Sequence, residues 1–143
     1  MKIQLTKRRG GFTLVEIMIV VAIIALLAAI AVPNFMRSRK RAQGTRMKED
    51  LRIIDHAVEQ YAIDHSTPSG THLVWTDVQP YLKPGTVLYN SAGADLFGNF
   101  YWGVQEAVFA VDVVPEIRYT TYVALSDVCD AAFWDPYHIP GLP

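Results

Sequence analysis

Apolar positions along this 143-residue chain follow three successive patterns. From Phe12 to Val32 they run almost unbroken, and Ile17 to Val32 contains only Ala, Val, Ile, Leu and Met. Twenty-one residues in a helix span roughly 31 Å, enough to cross a bilayer core. A helix exposed to water needs a polar face, and this segment has none. The second pattern begins beyond Pro33. Met47, Leu51, Ile54, Val58 and Tyr61 recur at intervals of three and four, with Lys48, Glu49, Arg52, Asp55 and Glu59 on the other face. That spacing predicts an amphipathic helix ending near Asp64. Pro33 removes one helical hydrogen bond, so a kink is expected there. Gly44 is a weak point, costing about 1 kcal/mol relative to Ala inside a helix. The two stretches together predict one helix of some 50 residues, on the order of 80 Å long.

The third pattern is short and broken. Ser66-Thr67-Pro68-Ser69-Gly70 ends the helix, and Pro84-Gly85 marks a turn. Thr76 is placed to cap a short helix over Asp77–Leu82, with Pro80 near its first turn. Strand patterns follow at Val87–Tyr89, Phe100–Val104, Val108–Val114 and Ile117–Leu125, the last two separated by Pro115-Glu116. The expected fold is therefore α+β: a long N-terminal helix whose second half packs on a small antiparallel sheet of three or four strands. The residues from His65 onward are few for an independent core, so the helix stripe must contribute to it. Phe97, Phe100, Tyr101, Trp102, Phe109, Tyr119, Tyr122, Phe133 and Trp134 are expected to supply the rest of that core and its rim. The implied organisation is a leader over 1–11, a membrane helix over 12–33, an amphipathic helix over 34–64 and a β-rich head over 65–143.

Charge divides the chain as sharply as hydropathy does. Residues 1–48 carry ten Lys and Arg against Glu16 alone, a net of +9, and residues 49–143 carry a net of −10. Basic residues flank both ends of the apolar run, since Arg37, Arg39, Lys40 and Arg41 follow it, so charge alone does not orient the span. The basic cluster suits lipid headgroups next to the bilayer; the other reading is that it meets the acidic head of a second subunit. The acidic head has too few Lys and Arg to grip phosphates, which argues against nucleic acid as a partner.

Glu16 is the one charge inside the apolar run. A carboxylate at mid-bilayer costs about 2.5–3.5 kcal/mol on insertion scales, and less toward a helix end, so it calls for a partner. A favourable helix dipole is the plainer account of it. A cation at position 12, four residues before Glu16, would lie on the same side of the helix.

Arg8-Arg9-Gly10-Gly11-Phe12-Thr13-Leu14-Val15-Glu16, with the apolar run behind it, resembles the N-terminus of type IV prepilins and of type II secretion pseudopilins. An ordinary secretory signal would cut near Ala29-Ile30-Ala31, but its apolar core would be shorter and free of acids. A plain signal anchor leaves the Gly-Phe junction unexplained. The resemblance implies a cytoplasmic leader, cleavage after Gly11 by a prepilin peptidase, N-methylation of Phe12, and pairing of Glu16 with a neighbour's Phe12 amine. It also implies an inner-membrane precursor with its head outside, an assembly platform in that membrane, and a filament of identical subunits and other pseudopilins. Proline occurs at the place of Pro33 in many pilins. Asp95-Leu96-Phe97-Gly98-Asn99-Phe100-Tyr101 looks like the D-P-W-G-N-P-Y turn of major pseudopilins, departing from it at Leu96, Phe97 and Phe100. Asp95, Gly98, Asn99 and Tyr101 carry that likeness, with Gly98 and Asn99 suiting positive φ.

Cys129 is the only cysteine, so no intrachain disulfide forms, whereas many surface pilins close a C-terminal loop with one. Calcium is the substitute that the resemblance suggests, and Asp127, Asp130 and Asp135 offer hard oxygen ligands, though without EF-hand spacing. Asp127 equally suits the cap of a short helix over Val128–Phe133. His56, His65, His72 and His138 show no metal-ligand spacing, and His56 is expected as a solvated neighbour of Asp55 and Glu59. No phosphate loop, nucleophile elbow or zinc motif is present, so a catalyst is not expected. The reading is a structural subunit of a type II secretion pseudopilus. The alternatives are a type IV pilus subunit and a monomeric membrane-anchored binding domain.

Overall fold

A computed structural model describes residues 11–101, 108–139 and 141. Helix α1 runs from Leu14 to His65 and continues through Pro33. The chain divides into two compact units between Met36 and Arg37. In the first unit every described residue is exposed, as an apolar surface awaiting lipid or protein would be.

The second unit is built on the later turns of α1. Met47, Leu51, Ile54 and Val58 are all buried, with Ala57 and Gly44 beside them, and Tyr61 packs at the edge. The predicted stripe is thus the inner face of the head. Full burial of four such side chains contributes roughly 6–12 kcal/mol before ordering entropy is subtracted. Facing it are Leu73, Val78, Phe109, Ile117, Leu125 and Trp134, which with their neighbours form one cluster.

After α1 come β1 (His72–Val74), α2 (Trp75–Val78), a 3₁₀ turn (Gln79–Tyr81) and α3 (Val87–Asn90). Then follow β2 (Val108–Ala110), α4 (Tyr119–Leu125) and α5 (Ala131–Trp134). The architecture is α+β and pilin-like, as expected, but the sheet is smaller than the strand patterns implied. Among the described residues it has two strands, β1 and β2, antiparallel with Leu73 opposite Phe109. Leu73 is buried while His72 and Val74 point out, the two-residue alternation of a half-buried strand.

Two predicted strands are helices. Val87–Tyr89 forms α3 because the Thr86 hydroxyl accepts from the Tyr89 N–H at 3.2 Å and caps the turn. Ile117–Leu125 forms α4 over Tyr119–Leu125, where Thr121 and Leu125 lie one turn apart and both are buried. Its β-branched residues favour a strand, and packing of that face overrides the preference. Val108–Val114 shortens to β2 and a turn at Val111–Asp112. Phe100 makes an isolated bridge with Ala94, and the remainder of the strand expected over Phe100–Val104, Trp102 included, lies outside the described residues. The helix expected over Asp77–Leu82 starts earlier, at Trp75. Asp77 rather than Thr76 satisfies its entry, accepting from the Val74 N–H at 2.9 Å. Of the expected core aromatics, Tyr101, Phe109 and Trp134 are buried, Tyr122 and Phe133 pack at the edge, and Phe97, Phe100 and Tyr119 are exposed.

Candidate functional site

Gly11, Phe12 and Thr13 stand just ahead of α1, outside the helix. A Cβ placed on Gly11 would meet nothing within 4 Å. Packing among the described residues therefore imposes no glycine there. The Thr13 hydroxyl accepts from the Glu16 N–H at 3.2 Å, and the Ile17 N–H reaches the Thr13 carbonyl at 3.3 Å. Thr13 is thus the N-cap and Glu16 the third helical residue, the T-x-x-E order of a capping box. That signal is present in the sequence, but the membrane reading of Glu16 obscures it. Its consequence is positional: the helix begins at Leu14, two residues beyond Phe12, and leaves the Gly11-Phe12 bond outside it. The Glu16 carboxylate is exposed and makes no hydrogen bond or ion pair among the described residues. The basic leader at Lys7, Arg8 and Arg9 lies outside them.

From Phe12 to Met36 the apolar side chains all face outward, Phe12 and Leu14 most fully. By length and composition this part of α1 is able to cross a membrane. Such a surface is stable only against lipid or against other helices of its kind.

In the head, the Asp95 turn is built as a unit. Asp95 Oδ1 accepts from the backbone N–H groups of Phe97 at 2.8 Å and Asn99 at 2.9 Å. Its Oδ2 takes the Thr121 hydroxyl of α4, and Asn99 Nδ2 donates to Thr121 Oγ1 at 3.0 Å. Gly98 has φ of 79°, a conformation that favours glycine. Tyr101 leaves the turn into the core and donates its hydroxyl to Asp50 Oδ2 on α1 at 2.9 Å. Burial pushes the Asp50 carboxyl above the usual range, opposed by the Tyr101 hydrogen bond and the Arg46 charge. Burial beside Asp50 likewise drives the Tyr101 phenol far upward, so it remains a donor. Asp95, Gly98, Asn99 and Tyr101 therefore act together. Thr121 and Asp50, which sequence reading missed, complete the connection to α4 and α1.

The basic stem docks on the C-terminal segment. Lys40 Nζ pairs with both carboxylate oxygens of Asp127 at 3.0 Å. Lys48 Nζ donates to the Phe133 carbonyl at 2.9 Å, and Lys48 and Arg41 lie over the Phe133 ring at 5.6 and 5.7 Å. Gly44 lets Cys129 approach so closely that a Cβ would come within 2.7 Å of its Sγ. The helix-weakening glycine is a packing requirement.

Asp130, not Asp127, caps the short C-terminal helix, accepting from the Phe133 N–H at 3.0 Å, and that helix is α5 rather than Val128–Phe133. Asp127 is engaged by Lys40 and Asp130 by its own helix. Among the described residues no cluster of three or more His, Cys, Asp or Glu is arranged to hold a metal ion. His56 is exposed, with Nδ1 3.4 Å from Glu59 Oε2.

Comparison with known proteins bears on both units. A family model described as the prokaryotic N-terminal methylation motif matches residues 6–32. Type II secretion system core protein G of Escherichia coli is 35% identical over 104 residues, covering 67% of this chain and 72% of that protein. Core protein G of Pseudomonas aeruginosa is 41% identical over 59 residues, 41% of this chain and 42% of that protein. The type IV wide pilus major component of Thermus thermophilus is 34% identical over 84 residues, 59% of this chain and 64% of that protein. This chain therefore spans less than two thirds of the Pseudomonas and Thermus proteins. No solved structure matches it. The chain belongs to the type IV pilin and type II secretion pseudopilin family.

Proposed function

We propose that this chain is a structural subunit of a type II secretion pseudopilus. It is inserted in the inner membrane with its leader in the cytoplasm, cut between Gly11 and Phe12 by a prepilin peptidase, methylated at Phe12 and polymerised into a helical filament. The observation that carries this reading is the wholly exposed apolar surface from Phe12 to Met36 with one unpaired carboxylate, Glu16, four residues from the junction. Lipid satisfies that surface in the precursor, and neighbouring helices satisfy it in the fibre. The Phe12 amine of an adjacent subunit neutralises Glu16 where an isolated charge is costly. Likeness to core protein G over 72% of its length supports the secretion assignment, as does the built Asp95–Tyr101 turn. The likeness to the Thermus pilus component keeps a type IV pilus subunit as the second reading, which a secretion assay in a deletion strain separates from the first.

Mass analysis of mature protein tests the proposal. A chain that starts at methylated Phe12 supports it, and one that starts at Met1 or Val32 removes it. Glu16→Ala should leave insertion and cleavage intact, because a carboxylate is removed from the membrane segment, yet abolish or slow incorporation into filaments. Normal assembly of Glu16→Ala would return Glu16 to a simple helix-end role.

A further inference from the structure

Two surfaces on the head are complementary and face opposite ways. One is a groove of about 270 Å³ between α1 and the segment Leu82–Leu88. Its floor is apolar, with Ile53 40% and Val87 56% exposed. Arg46 and Lys83 stand at its rim, and neither has an ion-pair partner among the described residues. Asp50 also lines it but is held by the Tyr101 hydroxyl. Two cations against one carboxylate leave the groove net positive over an apolar floor.

The other surface is the turn after β2. Asp112 stands at its apex with φ of 63°, followed by Val113 and Val114, 54% and 39% exposed. The Gly70 N–H to the Val111 carbonyl at 2.9 Å, and the Val111 N–H to the Thr71 carbonyl at 3.1 Å, hold the turn in place. Glu59 of α1 lies alongside, so this surface presents carboxylates and valines. At 3.6 residues per turn, positions 46, 50 and 53 lie roughly 150° around α1 from positions 59, 62 and 63, and roughly 17 Å from them along its axis.

We propose that the groove receives the Asp112–Val114 turn of a second copy of this chain, with Asp112 meeting Arg46 and Lys83 and Val113 covering Ile53 and Val87. Basic rim matches acidic apex, and apolar floor matches the valines. Because the two patches lie on opposite flanks and are offset along the helix, the contact is head-to-tail and repeats as a helix instead of closing into a dimer. The proposal rests on the filament reading above and adds the head surfaces through which neighbouring subunits meet.

Full-length chain carrying both Lys83→Cys and Asp112→Cys, assembled with its secretion machinery and then oxidised, should run as a ladder of disulfide-linked multimers. Each single variant should give nothing larger than a dimer, since native Cys129 is buried. Normal filaments without a ladder would overturn the contact and leave the filament reading standing. Attachment of the Lys83→Cys thiol to a different protein would overturn the contact also. If the unmodified chain forms no filament, both fall together. A second arm avoids disturbing the turn, since Asn tolerates positive φ as Asp does. Lys83→Gln and Asp112→Asn should each lower filament yield by about fivefold with the head's melting unchanged, and the double variant should be no worse than either. Losses that multiply in the double variant would show that the two residues do not meet.

Discussion

Helix α1 contains two stretches that obey different rules. Between Ile17 and Val32 all side chains are apolar and all are exposed, so any large aliphatic residue serves as well as another. Between Gly44 and Tyr61 the apolar residues are fewer, but each has its own place in the head. The first stretch is specified by composition, because an exposed apolar face makes no contact within the head that selects one aliphatic side chain over another. The second is specified by position, because a close-packed interior leaves no slack.

The sharpest break of that comparison is one substitution made twice on the same helix. Leu51→Ala, in the buried stripe, should cost about 2–5 kcal/mol and melt the head, whereas Leu27→Ala should leave head melting unchanged. Thermal unfolding followed by near-ultraviolet circular dichroism in detergent reads the difference. Equal effects would mean that the two stretches are not separately specified.

A smaller effect is expected at Gly44. Ala raises helix propensity by about 1 kcal/mol, but its Cβ would run into Cys129 Sγ at 2.7 Å, and overpacking of this kind costs about 1–3 kcal/mol. The head should be destabilised on balance, and Cys129→Ala in the same chain should recover part of the loss. A stabilised Gly44→Ala would mean that the contact relaxes freely.

Asp50 adds a pH dependence within the second stretch alone. Its folded carboxyl is raised by burial, so the native state holds the proton more tightly than the unfolded chain. Stability should therefore fall as pH rises from the ordinary Asp range through the folded value, with the penalty fully present above it. Asp50→Asn keeps an acceptor for Tyr101 and should flatten this slope in melts taken from acid to neutral pH. An unchanged slope would assign it to other carboxylates.

The smallest change should come from Lys40→Ala. The Lys40–Asp127 pair is solvent-accessible on both sides, so its loss should cost about 0.2–1 kcal/mol and fade at high salt. A larger loss in chemical denaturation would mean that this pair positions the C-terminal segment.

The long helix and its inner stripe were legible because each rests on periodicity. Met47, Leu51, Ile54 and Val58 reach the core at the intervals that predicted it. The Asp95 turn was legible too, since Gly98 announces it locally with φ of 79°, although Asn99, also expected at positive φ, does not adopt it. The head's secondary structure was not. Val87–Tyr89 and Tyr119–Leu125 read as strands by residue type, yet a threonine cap and a buried Thr121–Leu125 face make them helical. In segments of four to seven residues, local preference sums to less than the free energy of a few packing contacts.

The chain's covalent order thus decides the apolar stretch, the start of the helix after Thr13 and the direction of the amphipathic face, because these depend on neighbours within a turn or two. Contacts between residues far apart in the chain decide the rest. Thr121 completes the Asp95 turn across 26 residues, Asp50 receives Tyr101 across 51, and Asp127 meets Lys40 across 87. Gly44 reads as a flaw until Cys129 is beside it. Such pairings carry no periodic signature, since they arise only when the folded backbone brings the two partners within reach.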